Sequence, residues 1–283
     1  MPEASFSFGL VGTDIAASLS PAMHEREGRA QGFSLSYRLI DAGAMGLGAE
    51  NLPELLTWAE RLGFDGLNVT HPFKQAVVPL LDDLSEAAHD LGAVNTVVFD
   101  DGRRLGRNTD WSGFSRALRR ALPGADSESA IVVGAGGAGV AVAYGLLAHG
   151  AAHVSIHDVD LDRADDAVVR LSKRFGEDRV DVSAELDAGV AGAAVLVNAT
   201  PVGMHGHPGT SVPAQLLRPD LRVADVVYFP LRTELLAAAR AAGCRVMSGG
   251  GMAVEQAVGA FELFTGRMPD ADRMHAHFDE LTA

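Results

Sequence analysis

Ile131-Val132-Val133-Gly134-Ala135-Gly136-Gly137-Ala138-Gly139 decides the fold class. Three β-branched apolar residues read as a buried strand. They run directly into G-x-G-x-x-G, and Gly137 to His149 continues as a helix-like stretch. Glycines at such a junction permit a tight turn. They also let a pyrophosphate reach the helix N-terminus, where unpaired N–H groups face an anion. The next strand, His153 to His157, ends at Asp158. An acid about 20 residues beyond the glycines meets the adenosine ribose hydroxyls in a dinucleotide site. A carboxylate there repels a 2′-phosphate, whereas an NADP site wants a nearby arginine. Val159 and Asp160 offer no cation. Arg163, at the start of the helix Leu161 to Phe175, is placed to reach the ribose rim or to pair with a neighbouring acid. NAD is therefore expected over NADP.

Outward from this unit, short apolar runs alternate with helix-like stretches. Downstream, Ala193 to Val197 and Val223 to Val227 read as strands, Thr233 to Ala242 as a helix and Arg245-Val246 as a strand. Two C-terminal helices, Met252 to Phe264 and Ala271 to Leu281, follow. Upstream, Phe8 to Gly12 reads as a strand ending in glycine, and Pro21 to Gln31 as a helix capped by Ser20. Leu35 to Ile40, Gly66 to Val69 and Ala93 to Phe99 read as strands. Leu52 to Leu62, Pro72 to Leu80 and Ser85 to Leu91 read as helices. Asp100 to Arg107 is a polar crossing, and Asp110 to Leu122 a helix. The alternation predicts a mostly parallel sheet in each of two α/β units.

Composition agrees with that class. The 283 residues carry 23 Lys and Arg against 37 Asp and Glu, a net charge of −14, which opposes binding of nucleic acid. The lone Cys244 cannot form an internal disulfide and reads as a small buried residue. It points to a reducing compartment, the cytoplasm. No run approaches the roughly 18 apolar residues of a membrane span, and a secretory signal is not expected. His205 with His207, and His275 with His277, lack the further ligands of a metal site. Homo-oligomer formation is left open.

Four polar clusters neighbour the strands of the first unit: Ser18-Leu19-Ser20-Pro21, Asn68 to Lys74, Gly92 to Thr96, and Gly106 to Asp110. Ligands of open parallel sheets bind at the carboxyl ends of strands, where Ser18, Thr70 and Lys74 would sit, with Asn95 facing the same crevice. Each residue has a plainer role when taken singly. Ser20 and Asp110 would cap helices, Asn95 would hold a turn, and Lys74 would lie on a solvated face. Together these hydroxyls and amides, one lysine and one aspartate suit a small polyhydroxylated ligand.

In these clusters the chain resembles the shikimate dehydrogenase family, over nearly its whole length. The matching segments are Ser18 to Pro21, Asn68-Val69-Thr70 with Pro72 and Lys74, and Gly92 to Thr96. Asn108-Thr109-Asp110 with Gly113, Gly134 to Ala138, and Asn198 to Met204 follow in the family's order. Tyr228 with Pro230, Gly251-Met252, and Glu255-Gln256-Ala257 complete it. The resemblance implies two α/β domains around a cleft: 1–106 plus 252–283 for substrate and catalysis, and 107–251 as a Rossmann-type NAD domain. It implies Lys74 and Asp110 as the catalytic pair. Ser18, Ser20, Thr70, Asn95 and Gln256 would hold the substrate's hydroxyls and carboxylate. Gly134, Gly136, Gly137, Ala138, Asp158 and Arg163 would bind the cofactor. Pro201, Val202, Gly203, Met204, Val226 and Gly249 would line its nicotinamide side.

The sequence departs from the family pattern at three places. Asp158-Val159-Asp160 replaces the Asn-Arg-Thr of NADP-type members, His71 stands where an apolar residue is common, and Glu25 follows His24 in place of asparagine. The set is most similar to the NAD-using quinate/shikimate branch. The expected reaction is reversible oxidation of a ring hydroxyl, Lys74 taking its proton and Asp110 orienting the lysine. Two alternatives are a biosynthetic NADP-dependent shikimate dehydrogenase and a non-catalytic NAD-binding regulator, against which the intact Lys74 and Asp110 argue.

Overall fold

The computed structural model describes residues 5–283. The chain divides into two compact units, one of Met1–Thr109 with Gln256–Ala283 and one of Asp110–Glu255.

The first unit runs β1 (Ser5–Gly12), α1 (Ser20–Ala30), β2 (Ser34–Asp41), α2 (Leu52–Arg61), β3 (Gly66–Val69), β4 (Asp83–Leu84), α3 (Glu86–Leu91), β5 (Thr96–Asp100) and β6 (Arg103–Arg107). Its sheet has the order β2-β1-β3-β5-β6-β4. β1 pairs parallel with β2 and β3, whereas β5 lies antiparallel to both β3 and β6. β4 pairs parallel with β6, so three of the five pairings are parallel and the sheet is mostly parallel as the sequence suggested, with β5 as its antiparallel member. Asp100 to Arg107, read as a polar crossing, is instead the turn and second strand of a hairpin. Asp101 and Gly102 take φ of 46° and 74°, the left-handed pair that a two-residue hairpin turn requires.

Two further expectations are corrected in this unit. Pro72 to Leu80 is not one helix but a series of turns ending in a 3₁₀ turn, Val78–Leu80. The Lys74 carbonyl accepts Val94 N at 2.8 Å, so it is diverted from a helical bond, and Pro79 brings no N–H of its own. Ser20 does not cap α1. Leu19 occupies that position without a side-chain bond to the helix, and Ser20 is the first helical residue.

The second unit runs α4 (Asp110–Ala121), β7 (Ala130–Val133), α5 (Gly137–Ala148), β8 (Val154–His157), α6 (Leu161–Phe175), β9 (Val180–Val182), α7 (Leu186–Gly192), β10 (Val195–Asn198), β11 (Arg222–Asp225), α8 (Glu234–Ala241) and β12 (Arg245–Met247). All neighbours in the order β12-β11-β10-β7-β8-β9 are parallel. This is a doubly wound sheet whose strand order reverses between β7 and β10. Both of these strands are buried throughout, which is why they read as unbroken apolar runs. Two short elements that the sequence reading passed over, β9 and α7, complete the sheet edge and its cover.

α9 (Gly249–Thr265) opens in the second unit, and its later part belongs to the first, as does α10 (Ala271–Thr282). Phe264 of α9 stacks on Phe8 of β1 at 4.4 Å between ring centroids. The division falls after Thr109, later than the expected Gly106, because Asn108 and Thr109 are tied to Ala93 and Asn95 by hydrogen bonds. At its other end it falls after Glu255, whose carboxylate takes Arg116 of α4 at 3.0 Å. Among the described residues no helix is long and apolar enough to cross a membrane.

Candidate active site

In the first unit Ser18 pairs with Ser20, and Asn95 belongs to a buried hydrogen-bonded run with Thr96, Asn68 and Tyr37. Ser18 and Ser20 sit half-buried where the loop after β1 enters α1, with their hydroxyl oxygens 3.2 Å apart. Asp41, at the end of β2, accepts Ile15 N and Ala44 N at 3.1 Å each and so holds that loop. These backbone donors keep the Asp41 carboxyl below its ordinary range. Thr70 follows β3 directly, and its N–H donates to the Val11 carbonyl. Lys74 lies half-buried in the turns that follow.

Asn95 is 3% exposed, and its amide nitrogen donates to Thr109 Oγ1 at 2.9 Å. Asn68 links this end to Tyr37. Its amide reaches Thr96 Oγ1 at 3.0 Å, and its carbonyl oxygen accepts the Tyr37 hydroxyl at 2.7 Å. The Ser20 side chain lies near the Tyr37 hydroxyl. Sequence reading quoted Asn68, Thr96 and Thr109 within motifs but gave them no place in the site, and it missed Tyr37 altogether. A tyrosine on a strand reads as core, and the β1–β2 register, which sets Tyr37 beside the buried Phe8, places it inward on an otherwise half-exposed strand. Asp110 follows Thr109 in the chain and opens α4 at 7% exposure. Gln256 lies half-buried on α9 in the first unit.

In the second unit the glycine loop is built as expected. Gly136 precedes α5 without a side-chain cap, so the first N–H groups of the helix are open to a ligand. A Cβ on Gly139 would lie 1.8 Å from the Gly134 carbonyl oxygen, so only glycine lets the helix approach the loop. Gly137 is exposed, and Ala138 half-buried. Asp158, 8% exposed, accepts Ala135 N at 2.7 Å and Asp160 N at 2.9 Å. Arg163 is exposed and turned to Asp160 at 3.5 Å.

The nicotinamide-side candidates converge on a buried carboxylate that the sequence did not single out. Asp225, fully buried at the end of β11, accepts Asn198 Nδ2 at 2.9 Å, Val227 N at 3.0 Å and Thr233 Oγ1 at 2.7 Å. Burial pushes its carboxyl above the ordinary range, and these three donors pull the other way. Asn198 also donates to the Val202 carbonyl and accepts Thr200 N, which fixes the segment carrying Pro201, Val202, Gly203 and Met204. Gly249 packs against Val226, where a Cβ would meet the carbonyl oxygen at 2.3 Å. Among the described residues no cluster of His, Cys, Asp or Glu could hold a metal ion.

Comparison with known proteins places this arrangement. A family model described as the shikimate dehydrogenase substrate binding domain matches residues 10–97. One described as the shikimate 5′-dehydrogenase C-terminal domain matches residues 249–277. A shikimate dehydrogenase (NADP(+)) of Streptomyces avermitilis is 52% identical, covering 99% of this chain and 97% of its own. The chain belongs to the shikimate dehydrogenase family. A second relative in this family, the quinate/shikimate dehydrogenase (NAD(+)) of Corynebacterium efficiens, is 48% identical over 98% of this chain and 99% of its own. Quinate dehydrogenase from Corynebacterium glutamicum in complex with NAD superposes with a TM-score of 0.92 at 48% identity, covering 98% and 99% of the two chains. The shared fold is the two-sheet α/β architecture with a Rossmann-type second unit.

Proposed function

We propose that this protein is an NAD-dependent quinate/shikimate dehydrogenase. It oxidises a ring hydroxyl of shikimate or quinate to the 3-dehydro product, reversibly. The observation that carries the choice of cofactor is the Asp158 carboxylate, fixed beside the glycine loop by two backbone N–H groups. Family identity alone does not choose, since members named for NAD and for NADP match at 48% and 52%. Anionic Asp158 repels a 2′-phosphate and suits ribose hydroxyls.

The residues present fit a bound NAD. The open N-terminus of α5, with Gly134, Gly136, Gly137 and Ala138 ahead of or within its first turn, suits the pyrophosphate. Pro201 to Met204, Val226 and Gly249 form the nicotinamide side. When bound, NAD supplies the acceptor for the hydride that leaves the substrate's carbinol carbon. Lys74 Nζ receives the proton of the oxidised hydroxyl, so the carbonyl forms as the C–H and O–H bonds break. Asp110 orients Lys74 and that hydroxyl. Ser18, Ser20, Thr70, Asn95 and Gln256 hold the remaining hydroxyls and the carboxylate.

A second reading, an NADP-dependent shikimate dehydrogenase, is favoured by the 52% identical relative and by Arg163 at the start of α6. Titration of the protein with each cofactor separates the two. NAD is expected to bind about tenfold or more tighter than NADP. Tighter binding of NADP would establish the second reading.

A further inference from the structure

Every hydrogen around the buried Asp225 carboxylate points toward it, and backbone N–H groups, which can only donate, set that direction. Thr200 N reaches Asn198 Oδ1 at 3.1 Å. The Asn198 amide therefore has one orientation, with Nδ2 toward Asp225 Oδ1 at 2.9 Å and the Val202 carbonyl at 3.2 Å. Thr200 Oγ1 gives its hydrogen to the same Asn198 Oδ1 at 2.7 Å and receives Val202 N at 3.2 Å. Val227 N meets Asp225 Oδ1 at 3.0 Å. Thr233 Oγ1 receives Leu236 N at 3.3 Å as the cap of α8, which leaves its hydrogen for Asp225 Oδ2 at 2.7 Å.

One carboxylate thus joins three segments of the second unit. Through Asn198 it reaches both backbone groups of Val202, the carbonyl directly and the N–H by way of Thr200. Through Val227 N it holds the turn after β11, and within that turn Val226 N donates to the Asn198 carbonyl at 2.9 Å. Through Thr233 it holds the start of α8, against which Gly203 packs: a Cβ on Gly203 would lie 3.4 Å from Thr233 Cβ. Asn198 and Asp225 are fully buried and Thr233 is 1% exposed, so water does not compete for these bonds. Pro201 and Met204 are exposed on the outside of the frame.

We propose that Asp225 is a positioning residue, which acts through Asn198 and Val227 to fix the Val202 and Val226 backbone as the wall for the nicotinamide end of the cofactor. The proposal rests on the functional reading above, which supplies the dinucleotide. Asp225 itself is sealed from the cofactor by its burial.

The test compares equilibrium binding of ADP-ribose, which lacks the nicotinamide, with kcat/KM for NAD at saturating shikimate. It uses the intact wild type, Asp225→Ala, Asp225→Asn and Thr200→Val. Asp225→Ala removes both acceptors. It is expected to lower kcat/KM for NAD about tenfold or more, while the dissociation constant of ADP-ribose stays within about twofold. Asp225→Asn keeps an oxygen for Asn198 and Val227 and turns its amide to Thr233 Oγ1, so kcat/KM should return to within about threefold of the wild type. Thr200→Val breaks the link to Val202 N at a half-buried position and should cost about threefold, again with ADP-ribose binding held. A loss of ADP-ribose affinity in step with that for NAD is a general loosening of the second unit and overturns the proposal. So does Asp225→Asn as costly as Asp225→Ala. An unchanged kcat/KM in Thr200→Val overturns it too, a comparison that stands even if Asp225→Ala does not fold. A wild type that neither binds ADP-ribose nor turns over NAD would refute the functional reading itself, and the proposal with it. Wild-type turnover with another order among the variants overturns the proposal alone.

Discussion

The backbone N–H of Ala135 donates to the carboxylate of Asp158 at 2.7 Å, which ties the glycine loop after β7 to the end of β8. One side chain thus has two tasks. It braces the glycine loop, and in the proposed function it sets a negative charge where a 2′-phosphate would lie.

The two tasks separate by mutation. Asp158→Ala alone removes the brace, so KM for NAD should rise about tenfold with no useful gain for NADP. Asp158→Ala with Val159→Arg adds a cation at the ribose end. The ratio of kcat/KM for NADP to that for NAD should then rise about tenfold or more. Steady-state rates with both cofactors check this, and an unchanged ratio in the double variant would count against the assignment.

Lys74 carries the proton in the proposed reaction. Lys74→Ala should lower kcat about 10²–10⁴-fold while the dissociation constant for shikimate changes far less. Stopped-assay turnover together with equilibrium binding separates the effects. Turnover near the wild-type rate would remove Lys74 as the base.

His24 gives the first unit an acid-sensitive core. It is 1% exposed among Phe8, Tyr37, Phe261 and Phe264, and neither ring nitrogen has a hydrogen-bond partner. Burial lowers its pKa from 6.5 to about 3. Below pH 6.5 the unfolded chain gains a proton that the folded chain refuses. This contribution to stability is therefore complete above pH 6.5 and is lost as the pH falls toward 3, at about 1.4 kcal/mol per pH unit. Denaturant unfolding between pH 6 and 5 should show the slope, and His24→Phe should reduce it by about one proton. That window lies above the range in which the contribution of Glu27 changes with pH. Partners hold Glu27 below its ordinary 4.5, so its share of stability is present above that value and lost below it.

Glu27 anchors the C-terminal helix. At 1% exposure it accepts Arg273 at 2.7 and 2.8 Å, Asp270 N at 3.0 Å and Gln31 at 2.8 Å. Arg273→Ala leaves that carboxylate buried with weaker compensation. A loss of about 1–3 kcal/mol is expected, below the range of a fully buried pair because the arginine side chain is 38% exposed. Chemical denaturation measures it, and a change under about 0.5 kcal/mol would show that α10 is held by its apolar face instead.

Much of this architecture was legible in the sequence because its signals are local. β7 and β10 are short apolar runs bounded by glycine or polar residues, and α6 has both a capping aspartate and an apolar stripe. The hairpin β5–β6 was missed although Asp101-Gly102 announces it, because the charged residues of Arg103 to Arg107 masked a half-exposed strand. The Pro72 to Leu80 segment looked helical by composition, but whether the Lys74 carbonyl serves a helix or Val94 depends on a chain segment 20 positions away. The candidate polar residues stood out in the sequence where they fall in motifs, as with Ser18, Thr70 and Asn95. Tyr37 and Asp225 were not, since each acquires its role from partners on other strands.

The most direct test of the central claim is a four-way comparison of initial rates, shikimate and quinate each with NAD and NADP, on the purified protein. The account predicts turnover with NAD at about tenfold or greater kcat/KM than with NADP for the same substrate. A preference for NADP, or no turnover of either substrate, would contradict it.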